Sequence, residues 1–388
     1  MRLKTKHLRH PLRTIATAKV LARSYLDVKL FPYRSRRRFQ NDSRYDLQNV
    51  TQGFATRIDH SREDDGLLER ICTAYIKALD HQRTEREIYQ PTQWWQKQQA
   101  RLQPVMRALK NRDISALRRM YHNFYRDSCS SGLIPVSRMP WADRAAINDT
   151  HRRFYLGDAL CAIDYWKEQT AGRFTIADLA GPNIGNPFGV MLDGTLVRFE
   201  APFQHYCAYK LSTVLSGGPS TVVEIGGGFG GMAYYLMRDR QPVTYFDFDL
   251  PESIALTSYF LLKAFPSLTF LLYGEKQMTA EEIARANVVL MPLFEIEQVP
   301  PRSVDVTFSS HAISALPPRF IGHYLETIGR TTRGHFLYIG GMFGARAISE
   351  LASQRLDMRM VETRVSGWNG HKSLNWNDVE VLYRIDQN

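Results

Sequence analysis

Cysteine is sparse in this chain: Cys72, Cys129, Cys161 and Cys207 stand far apart, with no CxxC pair and no histidine cluster beside them. That spacing argues against a zinc site and for plain buried thiols in a reducing cytoplasm. No apolar run approaches the ~20 residues that cross a bilayer. The opening segment lacks the continuous apolar core of a secretory signal, and no internal repeat or low-complexity stretch occurs. Acids are nearly missing from one place. Residues 1–38 carry twelve Lys and Arg against a single acid, Asp27, so 12 − 1 = +11, the formal net charge of the whole chain. The rest is neutral on balance, which excludes a positive field over the body and makes nucleic acid an unfavoured partner.

What is present is a globular composition, 44% apolar and 23% charged, in 388 residues, enough for one large domain or two ordinary ones. The most informative stretch is Thr221–Gly231, TVVEIGGGFGG. Thr221–Ile225 reads as a buried strand; Gly226, Gly227, Gly228, Gly230 and Gly231 follow; Met232–Met237 opens a helix. Strand, glycine turn and helix let backbone approach a nucleotide-like ligand where a Cβ would collide with it. Gly226-x-Gly228-x-x-Gly231 also fits the dinucleotide fingerprint, which alone is a weak signal. Glu224 tips the balance, because an acid there repels a pyrophosphate but suits the sulfonium and ammonium of S-adenosylmethionine. The next strand, Val243–Asp249, ends in Asp247 and Asp249, where a carboxylate can accept two ribose hydroxyls.

These residues, V-E-I-G-G-G-F-G-G followed by F-D-L-P-E (Phe248–Glu252), resemble a class I S-adenosylmethionine-dependent methyltransferase. More narrowly they are similar to the bacterial sugar O-methyltransferase family. Gly185-Asn-Pro-Phe-Gly189, Tyr259-Phe260-Leu261, Ala264-Phe265-Pro266 and the upstream Asn123-Phe124-Tyr125-Arg126 also match. The similarity runs from about Asp113 to Tyr383 and is most specific between Val223 and Pro266. It implies an α/β fold, a Rossmann-like seven-stranded sheet, beside a mainly helical N-terminal domain. The expected divisions are a basic amphipathic arm at 1–40, a helical substrate-cap domain at 41–195 and the methyltransferase domain at 196–388.

In chain order, a helix spanning Pro11–Leu30 would gather Leu12, Ile15, Val20, Leu21 and Leu26 on one face, with Arg13, Lys19 and Arg23 off it. A solvated arm, an anchor on an anionic membrane surface and an organelle-targeting segment all remain open for residues 1–38. Helical spacing continues through Leu67, Leu68, Ile71, Ala74, Tyr75 and Leu79; Trp94-Trp95 is expected to pack against a neighbour, and Asp113 to cap the next helix. Gly132–Thr150 reads as a loop before a helix near Ala145–Thr170. Leu179–Gly194 reads as a second loop, serving as an active-site rim or a linker. A helix from Pro202 to Leu215, bearing His205, Tyr206 and Tyr209, leads into the glycine stretch. Strands and helices then alternate as a parallel sheet requires: Val243–Asp249, Asn287–Met291, Val304–Ser309 and His335–Ile339, with a short extra strand at Leu268–Tyr273 and a closing hairpin, Met360–Val365 with Val379–Ile385.

A sugar hydroxyl is a poor nucleophile, so a general base is expected outside the carboxyl ends of the strands. His311, just past Val304–Ser309, is the first candidate, because a neutral imidazole accepts a proton at neutral pH. His371, in the loop Gly367–Lys372 with Trp368, and His205 stand in reserve. The cofactor set is Glu224, Gly226, Gly228 and Gly230 for the methionine part, Asp249 for the ribose with Asp247 as fallback, Leu250 and Leu293 against adenine, and Ser310 at the strand mouth. No metal is expected, since no convergent oxygen ligands stand out.

The expected function is O-methyl transfer from S-adenosylmethionine to a sugar hydroxyl in a nucleotide sugar, glycolipid or polysaccharide, in the cytoplasm or at the inner face of the membrane. Rivals are an NAD-dependent oxidoreductase, a natural-product or macromolecular methyltransferase, and a non-catalytic glycan- or membrane-binding scaffold. A homo-oligomer is compatible with the sequence.

Overall fold

The computed structural model describes residues 11–58, 64–134, 147–240, 242–373 and 377–386, the side chains of 11–21 and of Phe343 excepted. The apolar face expected at Leu12, Ile15, Val20 and Leu21 and the prolines Pro135 and Pro140 therefore lie outside the described side chains. Helices dominate the first half: α1 (Pro11–Arg38), α2 (Leu47–Gly53), α3 (Asp65–Gln82), α4 (Gln93–Asn111), α5 (Ile114–Tyr121) and α6 (Asp149–Gln169). Asp113 caps α5 as expected, accepting from Ala116 N at 3.0 Å.

The stretch expected to be a glycine-rich loop, Leu179–Gly194, instead runs into a hairpin. Strands β1 (Gly189–Leu192) and β2 (Thr195–Arg198) pair antiparallel around a turn at Asp193-Gly194. Asp193 and Gly194 both have positive φ, the geometry such tight hairpins require, so the Asp-Gly pair was a hairpin signal hidden among other glycines.

The second half alternates: α7 (Ala201–Val214), β3 (Ser220–Ile225), α8 (Gly231–Asp239), β4 (Val243–Asp249), α9 (Pro251–Ala264), β5 (Phe270–Leu272), α10 (Ala280–Arg285), β6 (Val288–Pro292), β7 (Val304–Ser310), α11 (Pro318–Thr331), β8 (Thr332–Gly341), α12 (Met342–Ala352), β9 (Met358–Ser366) and β10 (Asp378–Ile385). The sheet has eight strands in the order β5-β6-β4-β3-β7-β8-β10-β9, parallel except that β10 runs antiparallel to both its neighbours. Without β5 this is the expected seven-stranded arrangement; β5 is the short extra strand, added at the edge. Helix α12 lies between the expected strand His335–Ile339 and the expected closing hairpin, where the sequence reading places no element; β8 itself runs on through Gly340-Gly341. The helix starts directly on β8 and packs against the turn after β7: a Cβ on Gly344 would stand 2.0 Å from Ser314 Cβ.

Strand residues divide by parity between two cores. Val222, Tyr245, Leu290 and Leu337 face the cluster shared with α1–α9, whereas Val223, Phe246, Val289 and Phe336 face the cluster under α11 and α12. The N-terminal helices thus share a continuous apolar cluster with one sheet face. A buried polar knot joins them too: Asp64, before α3, receives Lys263 of α9 at 2.8 Å and lies 2.7 Å from His122 Nε2. Asn123 and Arg126 are spent on structure. Asn186 Nδ2 donates to Asn123 at 2.7 Å, and Arg126 donates to Asn186 O at 3.1 Å, fixing the Gly185–Gly189 segment.

Candidate active site

Where β3, β4 and β7 end, a cavity of about 830 Å³ opens beneath the N-terminal helices. Its floor is the glycine turn, through Gly226, Gly227, Gly228 and Gly231, while Gly230 faces Thr257 and Leu261 of α9 and does not line it. Gly226, Gly228 and Gly230 all have positive φ (81°, 66° and 85°). At Gly226 the constraint is also steric, since a Cβ there would lie 2.2 Å from Ala312 Cβ. At Gly227 an added Cβ would meet the Asp247 carboxylate at 2.7 Å.

Register brings the acids together: Glu224 pairs with Asp247 across β3 and β4, and Asp247 and Asp249 share a strand face. The structure separates their jobs. Asp249 lines the cavity and holds the turn, accepting from Gly228 N at 3.2 Å and Leu250 N at 2.7 Å. Asp247, one side-chain layer deeper, is fully buried and accepts from Gly227 N at 3.0 Å. It supports the loop and does not line the cavity, so the fallback ribose ligand sits behind the primary one. Glu224 lines the cavity and accepts from Tyr245 Oη at 2.6 Å. Burial lifts its pKa to about 7, against the Tyr245 bond and with help from Asp249. Burial likewise lifts Asp249 to about 7 despite its two backbone donors, and holds Asp247 well above the usual carboxylate range. Such a cluster favours a ligand that brings a cation and hydroxyl donors. Leu250, Leu293 and Ser310 line the same cavity.

His311 stands at its rim in the left-handed region, φ 63°. Five other non-glycine residues share positive φ among the described residues, but of the six only His311 lines the cavity. The conformation is held by His311 N donating to Ile339 O at 2.9 Å and Ser314 Oγ donating to His311 O at 2.9 Å. Its Nε2 lies 3.4 Å from Asp378 Oδ2 at the start of β10, and the side chain stays 53% exposed. A half-open imidazole beside a buried carboxylate is placed to take a proton.

The reserve histidines are elsewhere. His205 is 2% exposed, accepts from Trp166 Nε1 at 3.1 Å on its Nδ1, and packs between Phe174 and Tyr235; burial depresses its pKa to about 4. His371 lies 2.5 Å from Asp158 Oδ1, in a cluster with Lys372 that docks its loop on α6. Trp368, buried among Tyr165, Phe203 and Tyr206, is core. None of the three lines the cavity: His205 is turned into the packing between α6, α7 and α8, and the Gly367–Lys372 loop is pinned to the helical layer instead of overhanging the sheet.

Glu200, Trp94 and Trp95 also line the cavity; the sequence reading assigns Glu200 no role and the tryptophan pair only a packing one. Glu200, just before α7, lines the cavity, accepts from Gln204 Nε2 at 3.1 Å and is lifted to about 7 by burial, opposed by Arg198 and His311. Nothing in its local sequence marks it. Trp94 and Trp95 form part of the opposite wall. Trp95 Nε1 donates to Glu252 Oε1 at 2.6 Å and Gln99 Nε2 to the same oxygen at 2.8 Å, tying α4 to the start of α9. Glu252 closes the F-D-L-P-E run, so a partner for it was the signal available.

Strand order, glycine turn and acid placement together define the Rossmann-like fold of class I methyltransferases. No protein-family model and no curated protein sequence matches the chain. Among solved structures it is similar to TrmN from Thermus thermophilus (11% identity, TM-score 0.33), covering 47% of this chain and 49% of that one, so the match spans about half of TrmN. It is also similar to a SAM-dependent methyltransferase from Aquifex aeolicus (14% identity, 46% and 89% of the two chains, TM-score 0.32). A third is the magnesium protoporphyrin IX methyltransferase ChlM from Synechocystis PCC 6803, with bound SAM (10% identity, 59% and 97%, TM-score 0.35).

Proposed function

We propose that the protein is an S-adenosylmethionine-dependent O-methyltransferase whose acceptor is a sugar hydroxyl. The observation that carries this is the convergence of Glu224, Asp249 and the glycine turn in one cavity with His311 at its rim. The residues fit the cofactor: Glu224 meets the cationic methionine part, Asp249 the ribose hydroxyls, and Leu250 and Leu293 the adenine. When bound, S-adenosylmethionine supplies an electrophilic methyl carbon on a sulfonium that leaves as a neutral thioether.

The protein's part is positioning and proton removal. His311 takes the acceptor hydroxyl proton, and Asp378 stabilises the imidazolium that results. Glu200, whose carboxylate acts electrostatically on His311, holds a second acceptor hydroxyl. Trp94 and Trp95 offer faces on which a sugar ring can stack. Among the described residues the wall carries no Lys or Arg, only Glu200, Glu224 and Asp249 as charged groups besides His311. That favours a neutral glycan or glycolipid headgroup over the diphosphate of a nucleotide sugar.

Calorimetric titration with S-adenosylhomocysteine, beside NADH, tests the donor. Micromolar binding of the first and none of the second is expected. Affinity should weaken about tenfold from pH 8 to pH 6, because Glu224 and Asp249 gain protons on falling through about 7 and Glu224 then loses its attraction for the ammonium. Binding of NADH instead would turn the turn into a dinucleotide site. A screen of neutral sugars, glycolipids and nucleotide sugars then reads the acceptor.

A further inference from the structure

The two sides of α1 are both built for contact, but among the described residues only one of them is covered. Ser24, Phe31, Pro32 and Ser35 face inward and are buried. Phe31 packs against Phe154 and His371 at 5.2 and 5.4 Å between ring centroids. Gly157 of α6 leaves room for Ser35, since a Cβ there would stand 2.4 Å from it. Ser373 Oγ donates to Ser24 Oγ at 3.2 Å. These contacts fix the helix's rotation on the body, so its other side points outward by construction.

That outward side carries Tyr25, Leu26, Leu30 and Tyr33, exposed by 63, 58, 52 and 62%. At 100° per residue the four fall within an arc of about 140°. Arg23, Lys29, Arg36 and Arg37 stand exposed in or beside the same arc, Lys29 lying over the Tyr25 ring at 5.5 Å. The helix's one acid, Asp27, is turned away from the arc and paired with Arg34 at 3.3 Å and Ser373. An exposed strip of two tyrosines and two leucines framed by four cations, with no acid among them, is poorly matched to water. It matches an interface where apolar groups enter the acyl boundary and cations meet phosphate.

We propose that the outward face of α1 docks the protein flat on an anionic lipid surface. Among the described residues no helix is long and apolar enough to cross a membrane, so the contact is peripheral. Charge complementarity selects the partner: the basic excess of the chain is confined to residues 1–38 while the remainder is neutral, so attraction to an anionic surface comes from this segment of sequence, to which Arg23, Lys29, Arg36 and Arg37 of the outward face belong. The apolar strip selects lipid over nucleic acid, which the cations alone would suit. The inference does not rest on the methyltransferase reading, and its test reads no methyl transfer.

The test is co-sedimentation of the full chain with vesicles of mixed phosphatidylglycerol and phosphatidylcholine, beside phosphatidylcholine alone. Binding to the anionic vesicles should be on the order of tenfold tighter or more, and should weaken with salt. A variant carrying Tyr25→Ser, Leu26→Ser, Leu30→Ser and Tyr33→Ser, all at exposed positions, should keep the wild-type melting temperature and lose the binding. Lys29→Gln with Arg36→Gln and Arg37→Gln should lose the preference for anionic lipid. Absence of wild-type binding to anionic vesicles overturns the proposal, as does undiminished binding by the four-serine variant. Concentration-dependent self-association that the four-serine variant abolishes, without vesicle binding, would assign the face to a second copy. RNA binding without vesicle binding would overturn it likewise.

Discussion

At the carboxyl ends of β3, β4 and β7, the cavity wall is set by main chain: Glu224 and Asp247 are register partners, and the glycine turn and His311 hold positive φ. On the facing wall, Trp94, Trp95 and Leu133 arrive from the helical layer by side-chain packing. The first wall reaches its geometry through parallel pairing and needs particular residues at particular positions. The second is held by contacts such as Trp95 on Glu252, which other side chains could replace. The sheet ends should therefore govern chemistry and donor binding, and the helical layer should govern fit and closure.

The sharpest test of that division is His311→Ala, expected to slow turnover by ~100-fold or more while leaving S-adenosylhomocysteine affinity within about twofold. Single-turnover rates and calorimetry on the same preparation separate the two readouts. Unchanged turnover would remove His311 as the base and shift attention to Glu200. Next in size, Asp249→Ala should weaken S-adenosylhomocysteine binding by about tenfold or more, since it removes both a ligand for hydroxyls and an acceptor for Gly228 N. Wild-type affinity in that variant would place the nucleoside elsewhere in the cavity.

The same contrast explains what was legible in the sequence. A strand's period of two and a glycine's tolerance of positive φ are local properties, so β3, β4, the turn and the order of Asp247 and Asp249 could be read from spacing alone. Even the closing hairpin and β5 followed from apolar runs between turn residues. The helical layer resisted because its assignments are tertiary. His205 and His371 looked available until Trp166 and Asp158 claimed them, and neither partner lies near its histidine in sequence. Glu200 was invisible for the converse reason: an acid before a helix is ordinary, and only burial against Arg198 and His311 makes it unusual. The hairpin β1–β2 was missed where glycine was taken as a break, although at Asp193-Gly194 it shapes a turn. Helix α12 falls where the sequence reading places no element, and Gly344 there allows close packing.

The smallest expected effect probes the helical wall. Trp95→Phe keeps most of the ring but deletes the indole donor to Glu252 Oε1. Gln99 still donates to that oxygen at 2.8 Å, so the carboxylate is not stranded, although its Oε2 has no hydrogen-bond partner among the described residues. A lost bond to a partly shielded charged group, with one donor remaining, costs about 1 kcal/mol, a factor of about five in affinity for donor or acceptor. Turnover at saturation should stay near wild type, because no group that moves a proton has changed. Thermal melting and a KM-against-kcat comparison read the two consequences separately. If Trp95→Phe instead lowered kcat as far as His311→Ala, the helical layer would be shaping the transition state, and the division between a chemical wall and a fitting wall would fail.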